Sequence, residues 1–167
     1  AVNESGAIRF GMGAIKGVGK TAVETIIENR KDENYETIFD LVKKVDLRLA
    51  NKKTFENLAY AGGFDSFKSS HRAQYFYIDS EGTPFIERVL RFGSKFQENK
   101  KSSQMNLFGE QSDNVYQVLK LPDCSEFGNL ERLKNEKEVV GMYISAHPLD
   151  DFKKEIELFK TLELNFL

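Results

Sequence analysis

The sequence is poor in the residues that build covalent or metal-bound frameworks. Cys124 is its single cysteine, so no intrachain disulfide can form, and its two histidines, His71 and His147, stand too far apart for zinc-ligand spacing. It has no tryptophan and three prolines. No apolar run approaches the roughly 18 residues that a membrane span requires. A basic, apolar, small-residue leader is also missing, which argues against secretion and for a reducing, cytoplasmic setting. Neither sign of charge is in large excess: the formal net charge of −2 excludes a generic nucleic-acid sponge.

What is present is an ordinary globular composition over 167 residues, 40% hydrophobic and 30% charged, enough for a real core. The charge is unevenly distributed. Residues 1–72 hold twelve Lys and Arg against ten Asp and Glu, and the remainder holds twelve against sixteen. Apolar residues recur at helical spacing almost throughout. The pattern predicts helices over Lys20–Arg30, Tyr35–Val45, a third capped by Asn51, a fourth through His71 and Arg72 to about Ile78, one from Pro84 past Phe96, one over Asn129–Ile144, and a last one after Asp151. Asp65 is placed to cap the fourth. Periodicity disappears from Glu98 to about Gly128, which predicts a mobile linker with an apolar island at Met105, Leu107 and Phe108. The expectation is an all-α chain in three parts: a tandem helix-hairpin-helix domain over 1–97, a linker over 98–128, and a helical segment over 129–167. The apolar end and the non-methionine start suggest cuts in a longer protein.

Gly19-Lys20-Thr21 resembles the end of a nucleotide-binding P-loop, but the first glycine of that motif should fall at Ala14, and no apolar strand leads into it. Gly17-Val18-Gly19 between two helical segments instead fits a helix-hairpin-helix turn, with Ile15 before it and Val23 and Ile26 at the following apolar positions. Glycines permit a tight turn with outward backbone amides, and the unpaired N–H groups of a starting helix face the same way. Lys16, Gly17, Val18, Gly19, Lys20 and Thr21 therefore form a candidate site for a backbone phosphate. The alternative is that the glycines only close a turn. A second small-residue turn, Gly62-Gly63-Phe64 followed by Asp65, gives a second candidate with Lys52, Lys53, Lys68 and Arg72 expected near it. Gly62-Gly63 departs from the glycine-apolar-glycine pattern.

Gln104-Met105-Asn106-Leu107-Phe108 suits a partner groove, an amide for hydrogen bonding and two apolar side chains for pockets. The alternative is a cluster folded back onto the helices.

Together, VNES (Val2–Ser5), IRFGMGAIKGVG (Ile8–Gly19), NKKTFENLAYAGGFDSF (Asn51–Phe67), HRAQ (His71–Gln74), QMNLFGE (Gln104–Glu110) and EKEVVGMYISAHPLDDF (Glu136–Phe152) resemble, in that order, the alpha subunit family of bacterial replicative DNA polymerase III. The spacing between the first two pieces is shorter here than in the family. The resemblance implies a fragment between the fingers and a C-terminal OB-fold, gripping duplex DNA behind the active site, with QMNLF as an internal sliding-clamp peptide. It implies as partners duplex DNA, the clamp and other replicative subunits, and no membrane. The family's catalytic aspartates and their Mg2+ lie in the absent palm, so no catalytic residue, cofactor or metal site is expected here, and Asp150-Asp151 is not read as a metal pair. The rival functions are a helix-hairpin-helix domain of a DNA repair protein and a protein-interaction scaffold with degenerate hairpins.

Overall fold

The computed structural model describes residues 6, 10–30, 34–105 and 119–159, with 101–105 as backbone only. Among the described residues, seven α-helices run in the order α1 (Lys20–Glu28), α2 (Ile38–Lys44), α3 (Lys52–Tyr60), α4 (Arg72–Phe76), α5 (Phe85–Met105), α6 (Asn129–Val140) and α7 (Lys153–Phe159). Single 3-10 turns at Met12–Ala14 and Asp150–Phe152 precede α1 and α7. The described residues contain no strand, only one isolated bridge between Ile78 and Pro84. The all-α expectation holds.

Local chemistry sets most helix ends. Thr37 and Asp40 form a reciprocal capping box on α2, and the Asn51 side chain accepts the Thr54 N–H at 3.1 Å to start α3. Gly141, at φ 87°, stops α6 at Val140, four residues before the expected Ile144. Two other boundaries differ from the sequence expectation. The helix α4 begins only at Arg72 and ends at Phe76, and Asp65 lies outside it, so Asp65 is not its cap. The helix α5 continues to Met105, past the point where apolar periodicity fades. Its extension, residues 97–105, is QENKKSSQM, in which Lys, Glu, Gln and Met are good helix formers that need no apolar stripe. Gln97 anchors this part by donating to the carbonyls of Val42 and Val45, both at 2.8 Å.

One core joins these elements. Ile38, Leu41, Val42 and Val45 of the α2 region meet Phe85, Ile86 and Val89 of α5, while Phe55 and Leu58 of α3 meet Phe64 and Tyr75. Val139 and Val140 of α6 belong to the same core, and Leu119 and Leu121 pack against it. Gln74 of α4 donates to the Pro122 carbonyl at 2.8 Å, tying this returning strap to the helices. The helical segment that starts at residue 129 is attached to the first 97 residues through α6. By contrast, α7 has no buried residue, and Leu158 and Phe159 are among the most exposed apolar side chains described.

Candidate nucleic-acid interface

The first turn is anchored by its apolar residues and opened by its glycines. Ile15 and Val18 are buried, so the middle residue of Gly17-Val18-Gly19 is a plug that pins the turn to the core. Gly17 sits at φ 73°, a left-handed conformation that side chains resist, and a Cβ there would come within 2.7 Å of Asn57 Nδ2. Gly17 is thus required by the fold itself.

The carbonyl side of the turn is held from α3. Asn57 donates to the Lys16 carbonyl, and Thr54 Oγ1 donates a longer bond, 3.4 Å, to the Gly17 carbonyl. Both side chains are almost fully buried. The Lys16 N–H is taken by the Val139 carbonyl of α6 at 2.8 Å, and the Val18 N–H by Ile15 at 3.1 Å. With carbonyls turned inward, the other face of the turn carries the start of α1. Gly19 is the N-cap residue and no side chain caps the helix. Its O accepts the Val23 N–H at 3.1 Å, which leaves the amides of Lys20, Thr21 and Ala22 with no intrahelical acceptor. Lys16, Gly17, Gly19, Lys20 and Thr21 are all exposed. Lys20 reaches Glu24 only loosely, at 3.7 Å, with its side chain 89% exposed.

Gly19 differs from Gly17 in an informative way. Its backbone, φ −72° and ψ 159°, suits any residue, and a Cβ there would meet nothing within 4 Å. Serine, asparagine or aspartate would serve the helix slightly better as an N-cap. Among the described residues neither a close contact nor a positive φ requires a glycine at this position. What a side chain would obstruct is approach from outside to the free amides.

The second turn uses its glycines differently. Gly62, at φ 80°, donates to Ala59 O at 3.1 Å, and Gly63 donates to Leu58 O at 2.8 Å. These are the paired bonds of a Schellman termination of α3, so both glycine amides are consumed. The Asp65 N–H returns to Gly62 O at 3.2 Å. The Phe64 ring is buried, stacked on Phe67 at 5.4 Å and edge-on to Tyr75 at 5.5 Å. The helix that follows starts seven residues after Asp65 and is only five residues long.

Arg72, expected as a phosphate ligand, is occupied. Its side chain is 10% exposed and pairs with Asp65 at 2.6 Å and with Glu136 of α6 at 3.4 Å. It also donates to the Tyr60 carbonyl at 3.0 Å, and its Cζ lies 2.8 Å from where a Gly62 Cβ would stand. Burial opposes its charge, but the hydrogen bond and the charge of Asp65, with Glu136 behind them, outweigh burial and raise its pKa. Glu136, almost fully buried, also accepts the N–H groups of Ile144 and Ser145 at 2.9 and 3.0 Å. The structure thus removes Arg72 from the surface and makes it a clasp between α3, the second turn and α6. Lys68 is exposed and paired with Glu36 at 3.1 Å.

Lys53 also lies elsewhere than expected. Its Cγ is 3.7 Å from the Cβ position of Gly17, so it belongs to the first turn, not the second. Lys52 turns away to Glu87 at 2.8 Å. Thr54, Asn57 and Glu136 escaped the sequence analysis. Their signal was polarity at positions of an otherwise apolar helix face, which marks buried hydrogen bonding.

Gln104 and Met105 fall in the last turn of α5, and Asn106, Leu107 and Phe108 lie outside the described residues. Asp150 accepts the His147 N–H at 2.7 Å and pairs with Lys153 at 3.0 Å, and Asp151 accepts from Asn129 at 2.9 Å, so both carboxylates serve local structure. Among the described residues no helix is long and apolar enough to cross a membrane.

A family model described as a helix-hairpin-helix motif matches residues 1–75. Three relatives extend the similarity over nearly the whole chain, each a DNA polymerase III subunit alpha. The one from Campylobacter jejuni is 38% identical over 151 residues, 90% of this chain and 12% of that protein. The one from Borreliella burgdorferi is 33% identical over 98% of this chain and 14% of that protein. The one from Escherichia coli is 31% identical over 95% of this chain and 13% of that protein. The chain therefore spans between 12% and 14% of the length of these relatives.

Proposed function

From a chain that belongs, as a segment, to the DNA polymerase III subunit alpha family, we propose a non-catalytic module that holds duplex DNA by its backbone within a replicative DNA polymerase. The nucleotidyl transfer of the parent enzyme, and the Mg2+ it uses, belong to parts outside this segment. The observation that carries the proposal is Gly19, a glycine the fold does not need at a helix start whose amides are free. A phosphate seated there meets amide donors, the positive end of α1, and the charges of Lys16 and Lys20. Such contacts carry no base information, so binding is insensitive to sequence.

Gly19→Asp tests this sharply. The carboxylate caps α1 and stabilises the fold by about 1 kcal/mol, and it also occupies the phosphate site and repels DNA. Stability and DNA affinity should move in opposite directions. In anisotropy titrations with a labelled duplex, the parent chain should show a log–log salt slope of about −2 to −4, for two to four neutralised phosphates. The variant should lose most of its affinity. Unchanged binding in a folded Gly19→Asp variant would return the turn to a purely structural role.

The second part of the proposal is that Gln104–Phe108 docks on the sliding clamp, with Leu107 and Phe108 as anchors and Met105 and Asn106 as tolerant spacers. Tethering would convert even a modest peptide affinity into a high local concentration of polymerase at the primer end. Leu107→Ala combined with Phe108→Ala should abolish binding to the clamp of the same organism and leave duplex binding intact. Equal clamp affinity for parent and double variant would place the contact elsewhere in the polymerase.

A further inference from the structure

We propose that Lys53, on α3, is a third cationic ligand of the phosphate held at the first turn, completing a site that the turn itself supplies only in part. This deepens the DNA-backbone reading and rests on it.

The placement follows from how α3 meets the turn. Asn51 caps the helix, and the next turn of α3 presents Lys53, Thr54 and Asn57 on the side facing Gly17. Thr54 and Asn57 are buried and grip the turn's carbonyls, so the α3 backbone is fixed against it. Lys53 is their exposed neighbour, with its stem lying over Gly17. From a Cγ 3.7 Å from the Gly17 Cβ position, the rest of the stem is long enough to carry the ammonium past Gly17 toward the amide face that Lys16 and Lys20 flank. Three elements thus deliver three lysines around one set of free amides.

Energetics inside the chain give Lys53 no reason to be cationic. It stands in the first turn of α3, where the helix dipole disfavours positive charge. Its neighbour Lys52 shares that disadvantage but is compensated by Glu87 at 2.8 Å, whose hydrogen bond raises the Lys52 pKa. Lys53 makes no ion pair among the described residues. An external anion at the first turn supplies the missing partner.

The test uses the whole chain and a fluorescein-labelled duplex of mixed sequence, titrated across a salt series. Lys53→Gln should weaken binding uniformly across sequences and reduce the magnitude of the log–log salt slope by about 1, one phosphate contact fewer. Lys53→Arg should restore the slope, and Lys52→Gln should leave it at the parental value. The thermal midpoint of Lys53→Gln should be equal to the parent's or higher, since an unfavourable charge leaves the helix start; a purely structural lysine would lower it. A parental slope for Lys53→Gln, with Lys16→Gln reducing it, overturns the role of Lys53 and leaves the turn reading standing. Parental binding for Lys53→Gln, Lys16→Gln and Gly19→Asp alike overturns both.

Discussion

The two glycine turns begin alike and end as opposites. Each has a glycine at positive φ and a buried apolar residue, Val18 or Phe64, pinning it to the core. In the first, the carbonyl side is gripped by Asn57 and Thr54, and the glycine-lined amide side opens at the start of α1. In the second, the glycine amides bond back into α3, and the Arg72 guanidinium closes over Gly62. The difference is whether the glycines precede a helix or follow one. A turn before a helix faces its unpaired donors; a turn after a helix faces its unpaired acceptors and consumes its own amides in satisfying them. A cation then suits the second position for the same dipolar reason that an anion suits the first.

Removing the clasp should have the largest effect of any change considered for this comparison. Glu136→Ala leaves Arg72 with Asp65 and the Tyr60 carbonyl, and strips the acceptor from the Ile144 and Ser145 amides. We expect a loss of about 3 kcal/mol in stability, measured by chemical denaturation. Below its lowered unfolding midpoint, the variant should keep the parental DNA salt slope if, as proposed, the first turn alone holds phosphate. A changed slope would break the asymmetry between the turns.

A smaller stability loss with a larger functional consequence is expected at Asn57. Asn57→Ala leaves the part-buried Lys16 carbonyl without its Asn57 donor, at a cost of about 2 kcal/mol. The grip of α3 on the turn is then reduced to the longer Thr54 bond, beside the Lys16 bond to Val139 and the buried Val18. Duplex affinity should fall in the folded variant although Asn57 touches no DNA. Preserved affinity would show that the turn keeps its shape without the grip from α3.

Local features were legible in the sequence and distant ones were not. The Asn51 cap and the first turn depend on residues within a few positions of one another, so spacing alone reveals them. The departure of Gly62-Gly63 from the glycine-apolar-glycine pattern is legible, but the occupation of Arg72 is not, because one of its partners, Glu136, lies 64 residues beyond it. Lys53 was assigned to the nearer turn in sequence, yet α3 packs back so that its N-terminal end meets the first turn and its C-terminal end forms the second. The polar half of α5 escaped because an exposed helix needs no apolar period, and its anchor, Gln97, works through carbonyls of α2 and its C-cap. The attachment of α6 likewise rests on long-range contacts from Val139 and Glu136 that no local pattern encodes.

The central claim is that the first turn holds phosphate and the second does not. Amide-resolved NMR titration of the whole chain with a short duplex tests it most directly. The account predicts that the N–H signals of Gly17, Gly19, Lys20 and Thr21 shift progressively and recover on adding salt, while those of Gly62, Gly63 and Asp65 stay in place. Comparable shifts at Gly62 and Gly63, or still signals at Gly19 and Lys20 while the duplex is bound, would contradict it.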